Sequence, residues 1–402
     1  MNTFDIGIIG AGVAGAYAAL KIAKENKNIK TVLFDLGRPS GKRRQQTIGW
    51  FGMLPNSDGK FYMNDVRRVG DLVGAKRSKQ ASTWVFNQLN NIIKYKITED
   101  RKLHVGLEKK IKKNEFSYYY NDYIQLYPKE IHMILKDVAS NIEQLGNVTL
   151  SFDNEIYKVH KQRGMFVISS SEGEYSCKRL LICAGRSGWR WVTEMYNNFG
   201  IVESNDVATF GIHAEISSSY MKEFNKSACT IHKDDLEIGP LSWNGTVIPE
   251  DHVDLAISAF RSNENRWKSD KVSFKMIGHR KFEGEGFEQT ARLGKLAFVL
   301  SNDRISKERI NSIIAKRSKI SVLPEYDWLI QACEEVSELI PEFINKGYFH
   351  IPTILTLPPK IKIGNNLSTE IDNMYVAGES AGISGLLAAS IMGSVAADSI
   401  TK

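Results

Sequence analysis

The N-terminal end of the chain alternates short apolar runs with a small-residue turn and a helical pattern. Residues 4–9 (FDIGII) are apolar and β-branched, which predicts a buried strand. After a glycine-rich turn, residues 16–24 are predicted to form a helix with alanine and isoleucine on its packing face. A second strand is predicted over 30–34. This order of strand, turn, helix and strand is typical of a parallel α/β unit.

The middle of the chain carries a long amphipathic helix followed by short strands. Apolar positions at helical spacing predict a helix over 128–145. The elements predicted after it are strands over 148–152, 155–160 and 165–169 and an apolar strand that starts at 178 and ends in Ala184-Gly185. A meander that leads into a buried strand suits the same α/β domain.

The pattern of residues 200–345 is weaker, and the C-terminal end is again clear. In the weaker region we predict strands over 207–216, 229–231, 253–260 and 295–300 and helices over 306–315 and 326–339. Near the C-terminus, a strand over 373–377 precedes a turn of small residues and a last helix. The chain is therefore expected to be α/β with a second, mixed region.

Composition places the chain among ordinary globular proteins. It has 402 residues, of which 42% are hydrophobic and 25% charged, and this excludes disordered, collagen-like and disulfide-scaffold proteins. No uninterrupted apolar run reaches the about 18 residues of a membrane span. The four cysteines show no CxxC spacing, so neither a CxxC redox loop nor a CxxC-type metal site is expected. Cysteine usage favours a reducing, cytoplasmic compartment.

The turn after the first strand has the spacing of a phosphate-binding loop. Gly10 permits a tight turn, Gly12 lets the backbone approach a diphosphate, and Gly15 allows close packing of helix on strand. The helix N-terminus offers N–H groups to the phosphates. Asp35 ends the second strand 20 residues after Gly15, where a carboxylate can accept hydrogen bonds from a ribose. We predict a dinucleotide site; the alternative is a glycine-rich turn in an unrelated α/β unit.

The C-terminal stretch 369–393 (TEIDNMYVAGESAGISGLLAASIMG) resembles the second flavin motif of glutathione-reductase-type FAD proteins. In that family an acidic residue after the strand binds the ribityl chain, and the next helix points its N-terminus at the flavin. The resemblance assigns these positions to Glu379 and to the helix after Gly385. The family usually has Asp where this chain has Glu379. The mid-chain strand that ends in Ala184-Gly185 resembles the middle segment of the same fold, where the turn passes close to the cofactor.

Further stretches resemble the family known as FAD-dependent dehydrogenases, which shares that fold. They include GWFGMLPNSDGK at 49–60, AGRSG at 184–188 and FGIHAEI at 210–216. Relatives often carry a cysteine shortly before the glycine-rich stretch, where this chain has Gln45-Gln46-Thr47. The resemblance implies FAD and a redox reaction without naming a substrate. Its cofactor contacts are expected at Gly10, Gly12, Ala14, Gly15, Asp35, Arg43, Gly59, Ala184, Gly185, Gly378, Glu379, Gly385 and Leu386.

These observations predict a Rossmann-like FAD/NAD(P)-binding domain of the glutathione-reductase type with an inserted α+β substrate domain. The FAD domain is expected to combine 1–75, 128–200 and 346–402. The substrate or cap domain is expected to combine 76–127 and 201–345. A second dinucleotide fingerprint is not found between 186 and 340, so pyridine-nucleotide disulfide reductases are disfavoured.

Two residues are candidates for catalysis. Lys60 follows the glycine-rich stretch and could place a cation beside the flavin, although a solvated loop lysine, or one that binds a cofactor phosphate, is the plainer interpretation. His213 lies in a predicted strand and could face the flavin, although most strand histidines are structural. The expected activity is hydride transfer between flavin N5 and a small organic substrate. The electron partner is open: NAD(P)H without a dedicated domain, oxygen or a protein donor.

The net charge of +7 is concentrated in two segments. Residues 42–79 hold nine Lys or Arg against three acids, and residues 94–129 hold nine against five. Tyr118, Tyr119, Tyr120 and Tyr123 follow the run Lys109-Lys110-Ile111-Lys112-Lys113. Basic residues interleaved with aromatics can bind phosphates and stack on bases. The alternative function is therefore a flavoenzyme that acts on a modified base in DNA or tRNA, against the plainer view of a solvated loop.

Overall fold

The computed structural model describes residues 2–39, 41–43, 47–252, 255–261, 269–355 and 358–402. The chain folds into two compact units. Unit 1 comprises residues 1–96, 124–204 and 356–402. Unit 2 comprises residues 97–123 and 205–355. Each unit is thus built from separated stretches of sequence.

The strands are numbered here in chain order. They are β1 (Asn2–Ile9), β2 (Thr31–Phe34), β3 (Lys60–Tyr62), β4 (Ile97–Thr98), β5 (Ser117–Tyr119), β6 (Tyr123–Gln125), β7 (Val148–Ser151), β8 (Ile156–Gln162), β9 (Met165–Ser170), β10 (Gly173–Ile182), β11 (Val202–Ser204), β12 (Val207–Ser217), β13 (Thr230–Lys233), β14 (Leu236–Ile238), β15 (Ser242–Trp243), β16 (Thr246–Asp251), β17 (Ala256–Arg261), β18 (Lys271–Lys281), β19 (Ser306–Arg309), β20 (Tyr348–Thr353), β21 (Lys360–Ile361) and β22 (Met374–Val376).

The helices are numbered in the same way. They are α1 (Val13–Glu25), α2 (Asn64–Val73), α3 (Ala75–Ile92), α4 (Val105–Lys113), α5 (Pro128–Leu145), α6 (Trp189–Phe199), α7 (Gly286–Leu300), α8 (Ile310–Ile314), α9 (Tyr326–Leu339), α10 (Phe343–Lys346) and α11 (Leu386–Ile400).

Unit 1 is an α/β structure. Within its described residues, a seven-stranded sheet runs in the order β7-β2-β1-β10-β9-β8, with β22 beside β10. The pairs β7–β2, β2–β1, β1–β10 and β10–β22 are parallel, whereas β8 and β9 form an antiparallel meander on β10. Helices α1, α3, α5 and α11 pack through alanine and aliphatic side chains into one apolar core. The parallel strands therefore end at a common edge.

Unit 2 contains a large antiparallel sheet and a helical layer. Within the described residues, the sheet has eight strands in the order β19-β20-β12-β18-β14-β13-β5, with β15 beside β18. Phe274 of β18 lies 5.8 Å from the ring of Phe343 on α10. A Cβ atom at Gly278 would come within 2.7 Å of Trp328 on α9. One face of this sheet is therefore packed against helices.

Two predicted elements of the weaker region are wrong. Residues 295–300 were expected as a strand but form the last turns of α7, where Leu293 and Ala297 are buried at helical spacing. Short apolar runs do not separate strand from helix by period alone. The expected helix over 306–315 begins as β19, because residues 306–309 pair with β20, and continues as α8. The predicted strand 253–260 includes 253–254, which lie outside the described residues, and continues as β17.

The boundaries of the units also differ from those expected. Residues 76–96 were placed in the substrate domain, but α3 packs against α11 and α2 inside unit 1. Ala81, Val85 and Leu89 supply its buried face. Residues 346–355 were placed in the FAD domain, but β20 pairs with β12 and β19 inside unit 2. Helix packing decides the first boundary and strand pairing decides the second. Both are contacts between distant segments, which the local sequence pattern does not reveal.

Among the described residues, no helix combines the length and the apolar character that crossing a membrane requires.

Candidate functional site

The candidate site lies at the carboxyl edge of the parallel strands of unit 1. Backbone hydrogen bonds hold the strand ends in register: Gly10 N donates to Phe34 O at 2.8 Å and Cys183 N to Ile9 O at 2.7 Å. Ala377 N donates to Ile182 O at 3.0 Å. The turns that follow β1, β2, β10 and β22 therefore meet. This edge is where open parallel sheets bind their ligands.

The three glycines of the first turn have different surroundings. A Cβ atom at Gly10 would lie 2.3 Å from Cys183 O, and one at Gly15 would lie 1.9 Å from Gly10 O. Gly10 also has φ of 101°, which favours glycine. A Cβ atom at Gly12 would meet nothing closer than Cys183 O at 4.0 Å. Close packing within the protein explains why residues 10 and 15 are glycines. At Gly12 the protein leaves space, so a ligand can approach the N-terminus of α1 there.

Asp35 holds the glycine turn in place. Its Oδ2 accepts a hydrogen bond from Ala11 N at 2.7 Å, and its Oδ1 accepts one from Gly37 N at 2.8 Å. Burial raises the pKa of Asp35, and the backbone donors act in the opposite direction. The carboxylate therefore positions the loop, a role that the spacing did not reveal. The expected contact with a ribose stays a prediction.

The segment after β2 folds over the glycine turn. Phe51 N donates to Ala11 O at 2.7 Å, and a Cβ atom at Gly52 would lie 3.3 Å from Gly12 Cα. Arg43 donates from Nε to Ile48 O at 3.2 Å and from Nη1 to Trp50 O at 3.0 Å. Arg43 thus shapes this segment by binding its carbonyl groups. Gln45 and Gln46, where relatives often carry a cysteine, lie outside the described residues.

Glu379 is held by an arginine. After β22, Glu379 Oε1 accepts hydrogen bonds from Arg186 Nε at 3.1 Å and from Arg186 Nη2 at 2.9 Å. Arg186 follows the Ala184-Gly185 turn, so the ion pair links the ends of β10 and β22. Sequence reasoning missed Arg186, although the stretch AGRSG contains it. The pair leaves a carboxylate and a guanidinium side by side at the strand ends.

A second residue that sequence reasoning missed, Asp65, lies at the N-terminus of α11. Asp65 Oδ2 accepts a hydrogen bond from Ala388 N at 3.1 Å, and its Oδ1 pairs with Arg68 Nη1 at 3.0 Å. Burial raises the pKa of Asp65 to about 6. A Cβ atom at Gly385 would lie 2.5 Å from this carboxylate, so a residue with a side chain at position 385 would clash with Asp65. Leu386 begins the helix next to it.

The structure gives Gly59 and Lys60 roles within the protein. A Cβ atom at Gly59 would lie 2.0 Å from Leu126 O, and Leu126 N donates to Gly59 O at 2.8 Å. Gly59 therefore allows two backbone segments to meet, which is a different reason from the expected approach to a cofactor. Lys60 is buried, and its Nζ lies 3.9 Å from Asp58 Oδ2. The interpretation of Lys60 as a solvated loop lysine is therefore wrong.

His213 lies in β12 of unit 2, directly opposite His350 of β20. Its side chain is buried, and burial lowers the pKa of His213 to about 3. The imidazole is therefore neutral near pH 7. Glu215, two residues along the same strand, pairs with His350. His213 belongs to a group of ionisable side chains on one face of the sheet.

The tyrosines that suggested base stacking are mostly engaged inside unit 2. Tyr120 donates to Glu108 Oε1 at 2.7 Å, and its ring lies 3.9 Å from Lys102 Nζ. The rings of Tyr118 and Tyr120 meet edge to face at 5.4 Å. Tyr119 is exposed and stacks on His232 at 5.5 Å. Internal contacts therefore account for Tyr118 and Tyr120 without a nucleic acid.

The residues at the strand ends of unit 1 fit a dinucleotide cofactor. The open position at Gly12 lies beside the first N–H groups of α1, which can bind a diphosphate. Asp35 and Glu379 supply acceptors for hydroxyl groups, and Arg186 supplies a cation next to Glu379. These groups bind and orient a ligand. Among them, none forms a nucleophile–base pair.

Comparison with known proteins gives remote likenesses. No protein-family model matches the sequence, and no curated protein matches it. Glycine oxidase from Geobacillus kaustophilus is 11% identical, with 100% of this chain and 95% of that chain covered and a TM-score of 0.44. FAD-bound L-α-glycerophosphate oxidase from Mycoplasma pneumoniae is 10% identical, with 100% and 96% covered and a TM-score of 0.47. Quinol fumarate reductase from E. coli is 13% identical, with 100% and 70% covered and a TM-score of 0.48. At these values the likeness assigns no activity.

Proposed function

We propose that the protein is an FAD-dependent oxidoreductase of the glutathione-reductase-type fold that acts on a small organic molecule. The observation that carries the proposal is the open position at Gly12, between the packed Gly10 and Gly15 and beside the N-terminus of α1. A diphosphate fits there because the backbone can approach it without a side chain in the way. The choice of FAD among dinucleotides rests on the C-terminal motif around Glu379.

The chain's own residues bind and orient the cofactor in this proposal. The N–H groups at the start of α1 bind the diphosphate, and Asp35 accepts hydrogen bonds from the adenosine ribose. Glu379, held by Arg186, would accept hydrogen bonds from the ribityl hydroxyl groups, and the N-terminus of α11, beside Asp65, would lie toward the isoalloxazine ring. When bound, FAD supplies the hydride chemistry at N5.

The substrate side of the proposal belongs to unit 2. His213 stays a candidate catalytic residue, and because burial lowers its pKa it would act as a neutral imidazole. Lys60 stays a candidate for stabilising negative charge on the cofactor, and its burial strengthens that electrostatic role. The electron partner is left as NAD(P)H, oxygen or a protein donor. The nucleic-acid alternative is not favoured by any contact described above.

Purification of the full chain tests the proposal. We expect a yellow protein that releases FAD in a ratio near one per chain when it is denatured. Anaerobic addition of NADH, NADPH, amines, amino acids or hydroxy acids should bleach the flavin absorbance with at least one compound. A colourless protein that binds no FAD when the cofactor is supplied during refolding would contradict the proposal.

A further inference from the structure

The large sheet of unit 2 has one apolar and one ionisable face. In β12, the even-numbered positions are apolar, including Phe210, Ile212 and Ala214. The odd-numbered positions include His213 and Glu215. Alternate residues of a strand point to opposite faces, so the side chains on the odd-numbered side share one surface. We name this surface the polar face.

The strand register extends the polar face across the neighbouring strands. One cross-strand row joins Lys307 of β19, His350 of β20, His213 of β12 and Lys275 of β18. The next row joins Arg309, Tyr348, Glu215 and Ser273 in the same strand order. The helices α9 and α10 contact the opposite face, at Gly278 and Phe274. The ionisable side chains are therefore grouped on the side away from these helices.

Several basic groups meet at a single carboxylate oxygen. Glu215 Oε2 lies 2.5 Å from Lys307 Nζ, 3.0 Å from His350 Nε2 and 3.7 Å from Lys271 Nζ. Glu215 itself is buried. An ammonium group has three N–H donors, and one carboxylate oxygen cannot satisfy those of both lysines. The lysine side chains are 39% and 35% exposed, so remaining donors face solvent.

The same cations surround one aromatic ring. Lys307 Nζ lies 5.0 Å, Lys271 Nζ 5.7 Å and Arg309 Cζ 5.3 Å from the centre of the Tyr348 ring. Arg309 has no ion-pair partner among the residues that the structure describes. Attraction to the ring keeps the three cations close together although they repel each other.

Positive charge exceeds negative charge at this cluster. Glu215 and Asp270 attract Lys271, whereas Lys271, Lys307 and Arg309 bring three basic groups together around Tyr348. Among these named groups, basic side chains outnumber carboxylates by three to two. Burial and repulsion from Lys307 lower the pKa of Lys271 against the attraction of Glu215 and Asp270. A bound anion would relieve that repulsion.

We propose that Lys271, Lys307 and Arg309, arranged around Tyr348, bind the oxyanion of a small molecule, either a carboxylate or a phosphate group. Two ammonium groups and a planar guanidinium provide several convergent donors, and the guanidinium suits either oxyanion. Glu215 acts as a positioning residue because it fixes the two lysines. The exposed part of the polar face, at Lys271, Lys307 and Arg309, is thus a binding surface with a preference for anionic molecules.

This site lies within unit 2 and needs no cofactor. We further infer that the bound oxyanion belongs to the substrate of the flavoenzyme, and this step rests on the proposed function. Binding is measured by calorimetry on the purified full chain after FAD has been supplied, so that the diphosphate site proposed at Gly12 is filled; if the chain takes up no FAD, the loss of binding in Arg309→Gln still identifies the site in unit 2. Failure of the oxyanion site and failure of the flavin proposal are therefore separate results.

The test titrates the protein with inorganic phosphate and, separately, with acetate. We expect saturable binding of at least one of them at one site per chain, and the anion that binds identifies the class. Arg309→Gln should weaken that binding about tenfold or more, because hydrogen bonds to charged groups contribute about 1.5–3 kcal/mol. Arg309→Lys keeps the charge but lacks the planar guanidinium, so its affinity should lie between that of Arg309→Gln and that of the unaltered chain. Arg309 is exposed, so these variants are expected to fold.

Lys281→Gln is the matched control. Lys281 lies in the same strand and on the same face as Lys271, but at the other end of β18. Its substitution should leave anion binding unchanged. The proposal would be overturned by the absence of saturable binding of either anion, or by an equal loss of binding in Lys281→Gln and Arg309→Gln. Equal affinity of Arg309→Gln and the unaltered chain would do the same.

Discussion

Gly12→Ala is expected to weaken FAD binding by about 10- to 100-fold while the apoprotein keeps its stability. A methyl group at this position meets no atom of the protein closer than 4.0 Å, so folding is not disturbed. The backbone there has φ of −64°, which alanine adopts without strain. The methyl group would occupy the space that the diphosphate needs, at a steric cost of about 1–3 kcal/mol.

Titration of each deflavinated variant with FAD measures the effect. Gly106→Ala is the control, because Gly106 lies in α4 of unit 2 and its added Cβ atom would have its nearest contact at 3.9 Å. That variant should bind FAD as the unaltered chain does. Gly15→Ala should instead impair folding, since its Cβ atom would lie 1.9 Å from Gly10 O. Unchanged FAD affinity in Gly12→Ala would show that the diphosphate does not approach the turn there.

Glu215→Gln is expected to destabilise unit 2 by about 3 kcal/mol near neutral pH. The amide keeps the shape of the side chain but removes the negative charge that Lys307, Lys271 and His350 share. Burial raises the pKa of Glu215, but the hydrogen bond from Lys307 and the close approach of His350 outweigh it and lower the pKa to about 2. A difference of about two units from the ordinary value corresponds to about 3 kcal/mol of stability.

The loss of stability in Glu215→Gln should become smaller as the pH falls. Because the pKa of Glu215 is lowered in the folded state, its contribution is fully present above the ordinary carboxyl pKa of about 4.3. It disappears as the pH falls toward about 2, where the folded protein also takes up the proton. The stabilities of the variant and the unaltered chain should therefore converge in acid.

Hydrogen exchange at the amides of β12 measures this stability within unit 2. Asp327→Asn provides the control, because Asp327 is 89% exposed and pairs with Lys316 at 3.4 Å on the surface. Exposed ion pairs contribute at most about 1 kcal/mol. A loss in Glu215→Gln that is no larger than in this control, or one that persists unchanged toward pH 2, would contradict the assignment of Glu215 as the shared counter-ion.

The sequence reveals the elements of unit 1 because their patterns are local. The run FDIGII, the glycine turn and the apolar spacing of 128–145 each specify an element within a short stretch, and β1, α1 and α5 form there. Residues 295–300 lack such a signal, since five apolar residues suit a strand or a buried helix equally. They joined α7 because Leu293 and Ala297 find a core to pack against.

In the candidate site, too, the features with a local sequence pattern could be predicted and the others could not. The sequence alone identifies the glycine turn. Each of Gly10, Gly12 and Gly15 has a backbone role, in the tight turn, in the approach of a diphosphate or in close packing, and the spacing between them is fixed. Arg186 and Glu379 are 193 residues apart in sequence, and no local pattern joins them. The same holds for Asp65 and Ala388, which only the packing of α2 on α11 brings together.

By itself, the sequence determined an α/β fold around a dinucleotide-type turn and the strands that lead to it. Hydrophobic period and glycine geometry are local properties, so they can be read without coordinates. The tertiary structure decided which of the three glycines faces open space, what Glu379 and Asp65 contact, and that β12 carries ionisable side chains on one face. These facts depend on strand register and on contacts between distant segments, which arise only when the chain has packed.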